Sequence, residues 1–376
     1  DTRREKVRAF HEGRAALDPE CNVQFGEGGA GTFSDGKLNC SVKDKAGRSA
    51  FVLRTFVSHG AKKEITYTAR PHVGTDVLTG IVKSMREEII SLGGEVRFDT
   101  ALTGIETEDG CLRRIRLRTA GPVPGRICRH DDAGAGPKTG CKNEYTEPCG
   151  LLVLATGHSA RDTFRMLYDA GLEMEAKAFA VGVRAEHLQE DINTAQYGEY
   201  YKEKYKKLPP ADYKLTGHTV SGRSVFSFCM CPGGYVINSS SEEGGLCVNG
   251  MSYSGRSGEN ANAAIIVNVT PADTGAERLI LADDRLPGSI TDAVPDIFAG
   301  VRFQEELERL AFEACGGKIP TQRLEDFFAG RPSDHFGRVK PQHKGESAFA
   351  DLNTILPDFI ADSIKETMPG FAAKIK

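Results

Sequence analysis

Five glycines between Gly26 and Gly36 set the tightest constraint on this chain. They lie in Phe25-Gly26-Glu27-Gly28-Gly29-Ala30-Gly31-Thr32-Phe33-Ser34-Asp35-Gly36-Lys37. Glycine enters positive φ freely but loses more conformational freedom on folding than any other residue, so a run this dense is costly unless its geometry is used. Successive N–H groups in such turns converge on an anion. The segment reads as part of a cofactor site, where backbone approaches a phosphate or a ring closely; a plain surface loop is the alternative.

Gly26, Gly28 and Gly31 fit the spacing G-x-G-x-x-G, but that spacing marks a dinucleotide turn only between a strand and a helix. Val23-Gln24-Phe25 is too short for a central strand, and Phe33-Ser34-Asp35-Gly36 follows where a helix should begin. The loop is therefore not a Rossmann turn.

The 376 residues, 39% hydrophobic and 27% charged, are enough for a large core and for two domains. A net charge of -4 without a basic block excludes the electrostatic footprint of a nucleic-acid or anionic-membrane binder and favours a small-molecule partner. No apolar run reaches the roughly 20 residues of a membrane span, and the first residues carry no signal-peptide core, so a cytoplasmic protein is expected. Ten irregularly spaced cysteines then read as reduced thiols. The chain starts without methionine and stops just after a helical pattern, so both ends are expected to be cuts in a longer protein.

Periodicity predicts an amphipathic helix over 75–92, with Thr75 and Asp76 as cap candidates and Gly93-Gly94 behind it. A short strand at 95–98 and alternating runs at 102–107 and 111–118 predict a β-meander, and 120–150 reads as a long loop. Leu151-Leu152-Val153-Leu154-Ala155 reads as a buried parallel strand, followed by Thr156-Gly157-His158-Ser159 and a helix with a capping box at Ser159 and Asp162. The end of such a strand is where open α/β sheets bind ligands. Beyond Gly171, β-like runs at 178–183, 224–230, 235–238, 246–249 and 264–269 predict a sheet domain, with helices over 303–314 and 352–367.

Phe228-Cys229-Met230-Cys231-Pro232-Gly233-Gly234 places two thiols at i and i+2, on one face of a regular strand. Zinc would need further ligands at regular spacing, and none follow; no metal site is expected, and Cys128, His130, Cys141 and Cys149 fit no ligand pattern. Two packed cysteines remain the plain alternative. Arg184-Ala185-Glu186-His187 and the run 249–254 are candidate pocket linings, with His187 or Tyr253 as proton donor. No G-x-S-x-G, H-E-x-x-H or P-loop is present.

The order of these pieces resembles the FAD-dependent dehydrogenases (NAD(FAD)-utilising dehydrogenase group) of the glutathione-reductase-like flavoprotein superfamily, with the nearer likeness to a bacterial group within it. The strings 22–38, 157–164 and 228–234 carry the resemblance, which spans almost the whole chain. It implies an α/β (α+β mixed) chain: an incomplete Rossmann-like FAD-binding domain with a β-meander over 1–170, including some substrate-domain strands near 40–70; a mixed β-sheet substrate domain over 171–350; and a helix over 351–376 returning to the first domain. FAD is the implied cofactor, approached by Gly26, Glu27, Gly28, Gly29, Ala30, Gly31, Thr32 and Ser34, by the meander from Leu102, and by Ala155, Thr156, Gly157 and His158. Cys229 and Cys231 are the catalytic candidates, as a dithiol relay or a substrate contact.

The family's N-terminal G-x-G-x-x-G unit and its C-terminal glycine-rich flavin segment are missing from the chain. The expectation is a fragment of an oxidoreductase that moves hydride between a small-molecule substrate and flavin, with NAD(P)H as a candidate electron donor. A flavin monooxygenase, or a flavin-free binding module on the same scaffold, is the alternative.

Overall fold

The computed structural model describes residues 2–34, 36–38, 44–68, 71–120, 143–204, 208–275, 279–280 and 294–375. The chain divides into two compact units, Asp1–Met85 with Ala176–Lys376, and Arg86–Glu175.

The N-terminal part carries α1 (Thr2–His11), a 3-10 turn at Gly29–Phe33, α2 (Arg48–Ser58) and α3 (Thr75–Ser91). The apolar stripe of α3 closes a helical core: Leu78 and Ile81 pack with Ala61, Ile65 and Val73, flanked by Leu53, Phe56 and Val57 of α2. The helix begins at Thr75 itself, and the Asp76 carboxylate accepts Ser254 N and Oγ at 2.9 and 2.6 Å.

The second unit holds an antiparallel meander of β1 (Thr100–Glu108), β2 (Cys111–Thr119) and β3 (Asn143–Pro148), with Leu102 opposite Leu117. The third strand lies inside the stretch expected to be a loop; Cys128, His130 and Cys141 of that stretch lie outside the described residues. The expected strand at 95–98 is not formed. Arg97 there spans Glu95 at 2.6 Å, Glu147 at 2.6 Å and Tyr145 at 3.3 Å, so ion pairs rather than ladder bonds fix it. Helix α4 (Arg161–Asp169) starts after Ala160 without a side-chain cap: Ser159 Oγ bonds His158 Nδ1, and Asp162 Oδ1 accepts Thr163 N. Residues 151–155 are not a strand either. An apolar strand persists only when paired and covered, and no described strand of this unit pairs with it, so Leu151 and Val153 stand 85% and 79% exposed.

The chain continues through β4 (Phe179–Leu188), α5 (Gln189–Tyr197), α6 (Tyr201–Lys204), β5 (Thr216–His218), β6 (Ser224–Cys231), β7 (Tyr235–Asn238), β8 (Val248–Met251) and β9 (Asn260–Val269). It ends with α7 (Pro271–Thr274), β10 (Leu279–Ile280), β11 (Val294–Pro295), α8 (Ala299–Cys315), β12 (Ile319–Thr321), α9 (Leu324–Ala329), β13 (His343–Lys344), β14 (Ser347–Phe349) and α10 (Asp358–Lys374). The main sheet runs β4-β9-β6-β5, a second runs β13-β7-β8, and β10–β11 and β12–β14 form separate pairs. Helices and mostly antiparallel sheets alternate without a doubly wound core, which makes this an α+β arrangement among the described residues.

Alternation gives the main sheet two unlike faces. Val181, Val183, Val225, Ile265, Val267 and Val269 lie under Ile360, Ala361, Ile364 and Phe371 of α10 and form the largest core cluster. The opposite face carries Arg184, Glu186, Asn260, Asn262 and Cys231, as the pairings Glu186↔Asn262 and Cys231↔Asn262 require. The β13-β7-β8 sheet meets this polar face: His343 bonds Glu186 at 3.1 Å, and a Cβ on Gly250 would overlap Arg184.

Candidate functional site

The glycine-rich loop is built around one side chain from α1. Arg3 is buried, and its guanidinium donates from Nε to Asn22 O at 2.8 Å, from Nη1 to Glu27 O at 2.7 Å and Thr32 Oγ1 at 3.1 Å, and from Nη2 to Val23 O and Gly29 O at 3.0 Å each. All five of its N–H donors are used. The cation also sits 4.8 Å from the centre of the Phe33 ring. Burial pulls the Arg3 pKa down to about 10, which leaves it charged at neutral pH.

Asn22 shapes the entry, its Oδ1 accepting Gln24 N and Phe25 N at 2.9 and 3.0 Å. Behind the loop, Val7, Val23, Ile237 and Met251 pack with Phe33 and Tyr235, which seats it against α1, β7 and β8. Four loop carbonyls are thus turned onto a cation, away from anything that binds outside. At Gly29, φ is +56° and a Cβ would meet no atom within 4 Å, so the backbone there borders open space. This arrangement can seat a phosphate-bearing or flat group against bare backbone.

Lys37 then ties the loop to the two-cysteine turn, its Nζ donating to Met230 O. Between Phe228 and Cys231 the β6–β9 ladder shifts register, and Cys229 within this bulge adopts φ +46°. The bulge breaks the i, i+2 relation, so the thiols do not share a face as in a regular strand. Cys231 is fully buried and Cys229 half-buried. Arg184 reaches across to both, its Nη2 donating to Cys229 O at 2.8 Å and lying 3.6 Å from Cys231 Sγ, while its Nε donates to Asn262 Oδ1 at 2.8 Å.

The structure therefore brings residues 26–34 and Cys229 and Cys231 into one unit, linked through Lys37. Leu102, half-buried on β1, and the exposed residues 155–158 belong to the other unit. Strand alternation splits the run 184–187. Arg184 and Glu186 share the polar face, whereas His187 lies on the other and bonds Tyr213 OH at 2.8 Å, its burial lowering its pKa. Tyr253 is exposed and meets the Tyr235 ring edge-on at 5.8 Å.

Sequence reasoning missed Arg3, whose partners are almost all backbone carbonyls and leave no pattern in residue types. It also missed His343 and Asn262; for Asn262 the run 260–269 opposite β4 contained the signal, three asparagines (260, 262 and 268) on one face of an otherwise apolar strand.

Among the described residues no helix is long and apolar enough to cross a membrane. An uncharacterized protein of Clostridium beijerinckii is 43% identical over 381 residues, an alignment that covers 100% of this chain and 62% of the relative. The chain thus spans less than two thirds of the length of that relative. The family model described as FAD-dependent protein, C-terminal domain-like, matches residues 178–376, more than half of the chain and the whole of its β4–α10 region; the chain belongs to that FAD-dependent protein family.

Proposed function

We propose that this chain is part of an FAD-dependent oxidoreductase of the dehydrogenase kind, acting on a small molecule, with NAD(P)H as electron donor. The observation that carries the reading is the Arg3-centred loop, joined by Lys37 to the Cys229–Cys231 turn in a chain of an FAD-dependent family. FAD fits the loop: carbonyls that would repel its phosphates are drawn onto Arg3, and Gly29 leaves room for close approach.

Residues 26–32 and Ser34 hold the pyrophosphate and ring side of the cofactor. Leu102 and residues 155–158, in the second unit, are separate candidates for cofactor contact. When bound, FAD supplies the exchange of hydride with substrate. Arg3 fixes the loop, Lys37 holds the loop against the turn, and Cys229, the half-buried thiol of the bulge, is the candidate for substrate contact, with the buried Cys231 behind it as the second thiol of a dithiol relay and Arg184 beside its sulfur.

The test is the visible absorption spectrum of the purified chain and of the full-length protein, each after incubation with FAD and removal of free ligand. Flavin retained by the full-length protein, and bleached by NAD(P)H or by substrate under argon, supports the reading. Two folded proteins without flavin would overturn it and favour a flavin-free binding module, and oxygen incorporated into product would make the enzyme a monooxygenase. Serine at Cys229 or Cys231 with turnover intact would remove that thiol from the mechanism.

A further inference from the structure

Among the described residues, the polar face of the main sheet holds a cation, Arg184, without a carboxylate counter-ion. Among the described residues the partners of Arg184 are Asn262 Oδ1, Cys229 O and Cys231 Sγ, none of them a carboxylate, and its Nη1 makes no hydrogen bond. Glu186, two residues along the same face, is committed elsewhere: it accepts Asn260 Nδ2 at 2.9 Å and Gln342 N at 2.7 Å and pairs with His343. A half-buried charge whose partners are all neutral is unfavourable, because they replace only part of the solvation that water gave it.

A second, independent observation lies beside it. Asn262 is fully buried, and its Nδ2 has no acceptor among the described residues. The amide cannot simply be turned over, because its oxygen is required by Arg184 Nε; reversing it would set donor against donor and orphan the oxygen instead. Gly250 permits this packing, since a Cβ there would overlap Arg184 Nη2 and come within 2.5 Å of Asn262 Oδ1.

Two sets of unused donors on adjacent groups, one of them cationic, call for an anionic acceptor. We propose that Arg184 and Asn262 form a binding site for a small carboxylate, which reaches Nη1 of Arg184 and Nδ2 of Asn262 next to Cys229 and Cys231. Few donors and a planar guanidinium match the flat, two-oxygen carboxylate better than a tetrahedral phosphate, which uses more donors and more positive charge. The inference concerns binding alone and stands apart from the flavin reading; if both hold, the substrate of the enzyme carries a carboxylate.

Calorimetric titration of the purified chain with succinate, and separately with inorganic phosphate at matched ionic strength, tests it without any turnover. Wild type is expected to bind succinate saturably and more tightly than phosphate. Arg184→Met is expected to weaken succinate by at least about tenfold, the loss of one charge-assisted hydrogen bond or more. Should Arg184→Met fail to fold, Arg184→Lys keeps the charge and loses the planar fork, and the same weakening is expected. No succinate binding, phosphate preferred, or a folded Arg184 variant with wild-type affinity overturns the proposal. Alkylation of the thiols across pH separates the remaining explanation: a Cys231 thiolate acting as the counter-ion, with no carboxylate bound, also overturns it. These outcomes leave the flavin spectrum untouched, so the two readings fail separately.

Discussion

The guanidinium of Arg3 and the carbonyl oxygen of Gly29 lie 3.0 Å apart, across 26 residues of chain, and this contact draws the carbonyl inward while the Gly29 backbone borders open space. Arg3→Met leaves the Asn22, Val23 and Glu27 carbonyls without their guanidinium donor, while Gly29 O keeps Thr32 Oγ1. Each one that water cannot reach costs about 1–3 kcal/mol, so a loss of at least about 3 kcal/mol is expected in urea unfolding. Arg3→Lys, with three donors on a point charge, should recover part of the stability and little of the loop geometry.

Gly29 separates local strain from cofactor contact. Alanine there meets no atom within 4 Å but must hold φ +56°, a cost of about 1–2 kcal/mol for a residue with a Cβ. Gly47, at the start of α2, has φ +70° and equally open surroundings, and takes no part in the proposed contacts. Gly29→Ala and Gly47→Ala are therefore expected to lower stability alike in denaturant titrations, while only Gly29→Ala weakens FAD retention by the full-length protein. Equal retention by both would detach Gly29 from the cofactor.

Much of this is legible in the amino-acid sequence. The stripe of α3 and the alternation of β1, β2, β6 and β9 come from burial on one side of a regular element, which residue types record directly. What escaped depends on partners. Leu151 and Val153 carry the composition of a buried strand, yet a strand exists only with a neighbour. Ser159 and Asp162 have capping-box spacing, but their side chains bond His158 and Thr163 instead. The two cysteines were recognisable as a pair. Their geometry was not, because one extra residue in a ladder reverses the facing of every side chain after it, and composition does not mark where that occurs.

Stability should fall in two steps as the solution is acidified. Burial lowers the pKa of both His187 and His11, so the unfolded chain binds these protons more readily than the folded one. Their contribution is fully present above about pH 6.5 and is lost as pH falls through the depressed folded values. For Glu186, burial pushes upward, but hydrogen bonds from His343, Asn260 and Gln342 N outweigh it and the pKa is lowered. That contribution is present above its ordinary value of 4.5 and disappears below it. Thermal unfolding across pH should therefore show a first decline that His187→Gln makes shallower, and a more acidic decline that Glu186→Gln makes shallower. A melting temperature flat between pH 7 and 5, on either side of the about 6.5 of an unperturbed histidine, would contradict the histidine part.

Cys229 offers the sharpest division between folding and function. Its φ of +46° costs an L-residue about 1–2 kcal/mol, and glycine would relieve this while adding about 0.5–1 kcal/mol of unfolded-state entropy. The two effects nearly offset each other, so Cys229→Gly is expected to match or slightly exceed wild-type stability, within about 1 kcal/mol. Strain that a better-suited residue would remove, at a bulge beside Arg184 and the loop-bound Lys37, persists where the side chain has a use. The expected outcome is thus a protein at least as stable, with turnover lost and succinate affinity close to wild type, since Arg184 donates to the Cys229 backbone carbonyl, which glycine keeps. Turnover equal to wild type would assign the thiol no part in the chemistry and leave the positive φ as a purely conformational feature of the bulge.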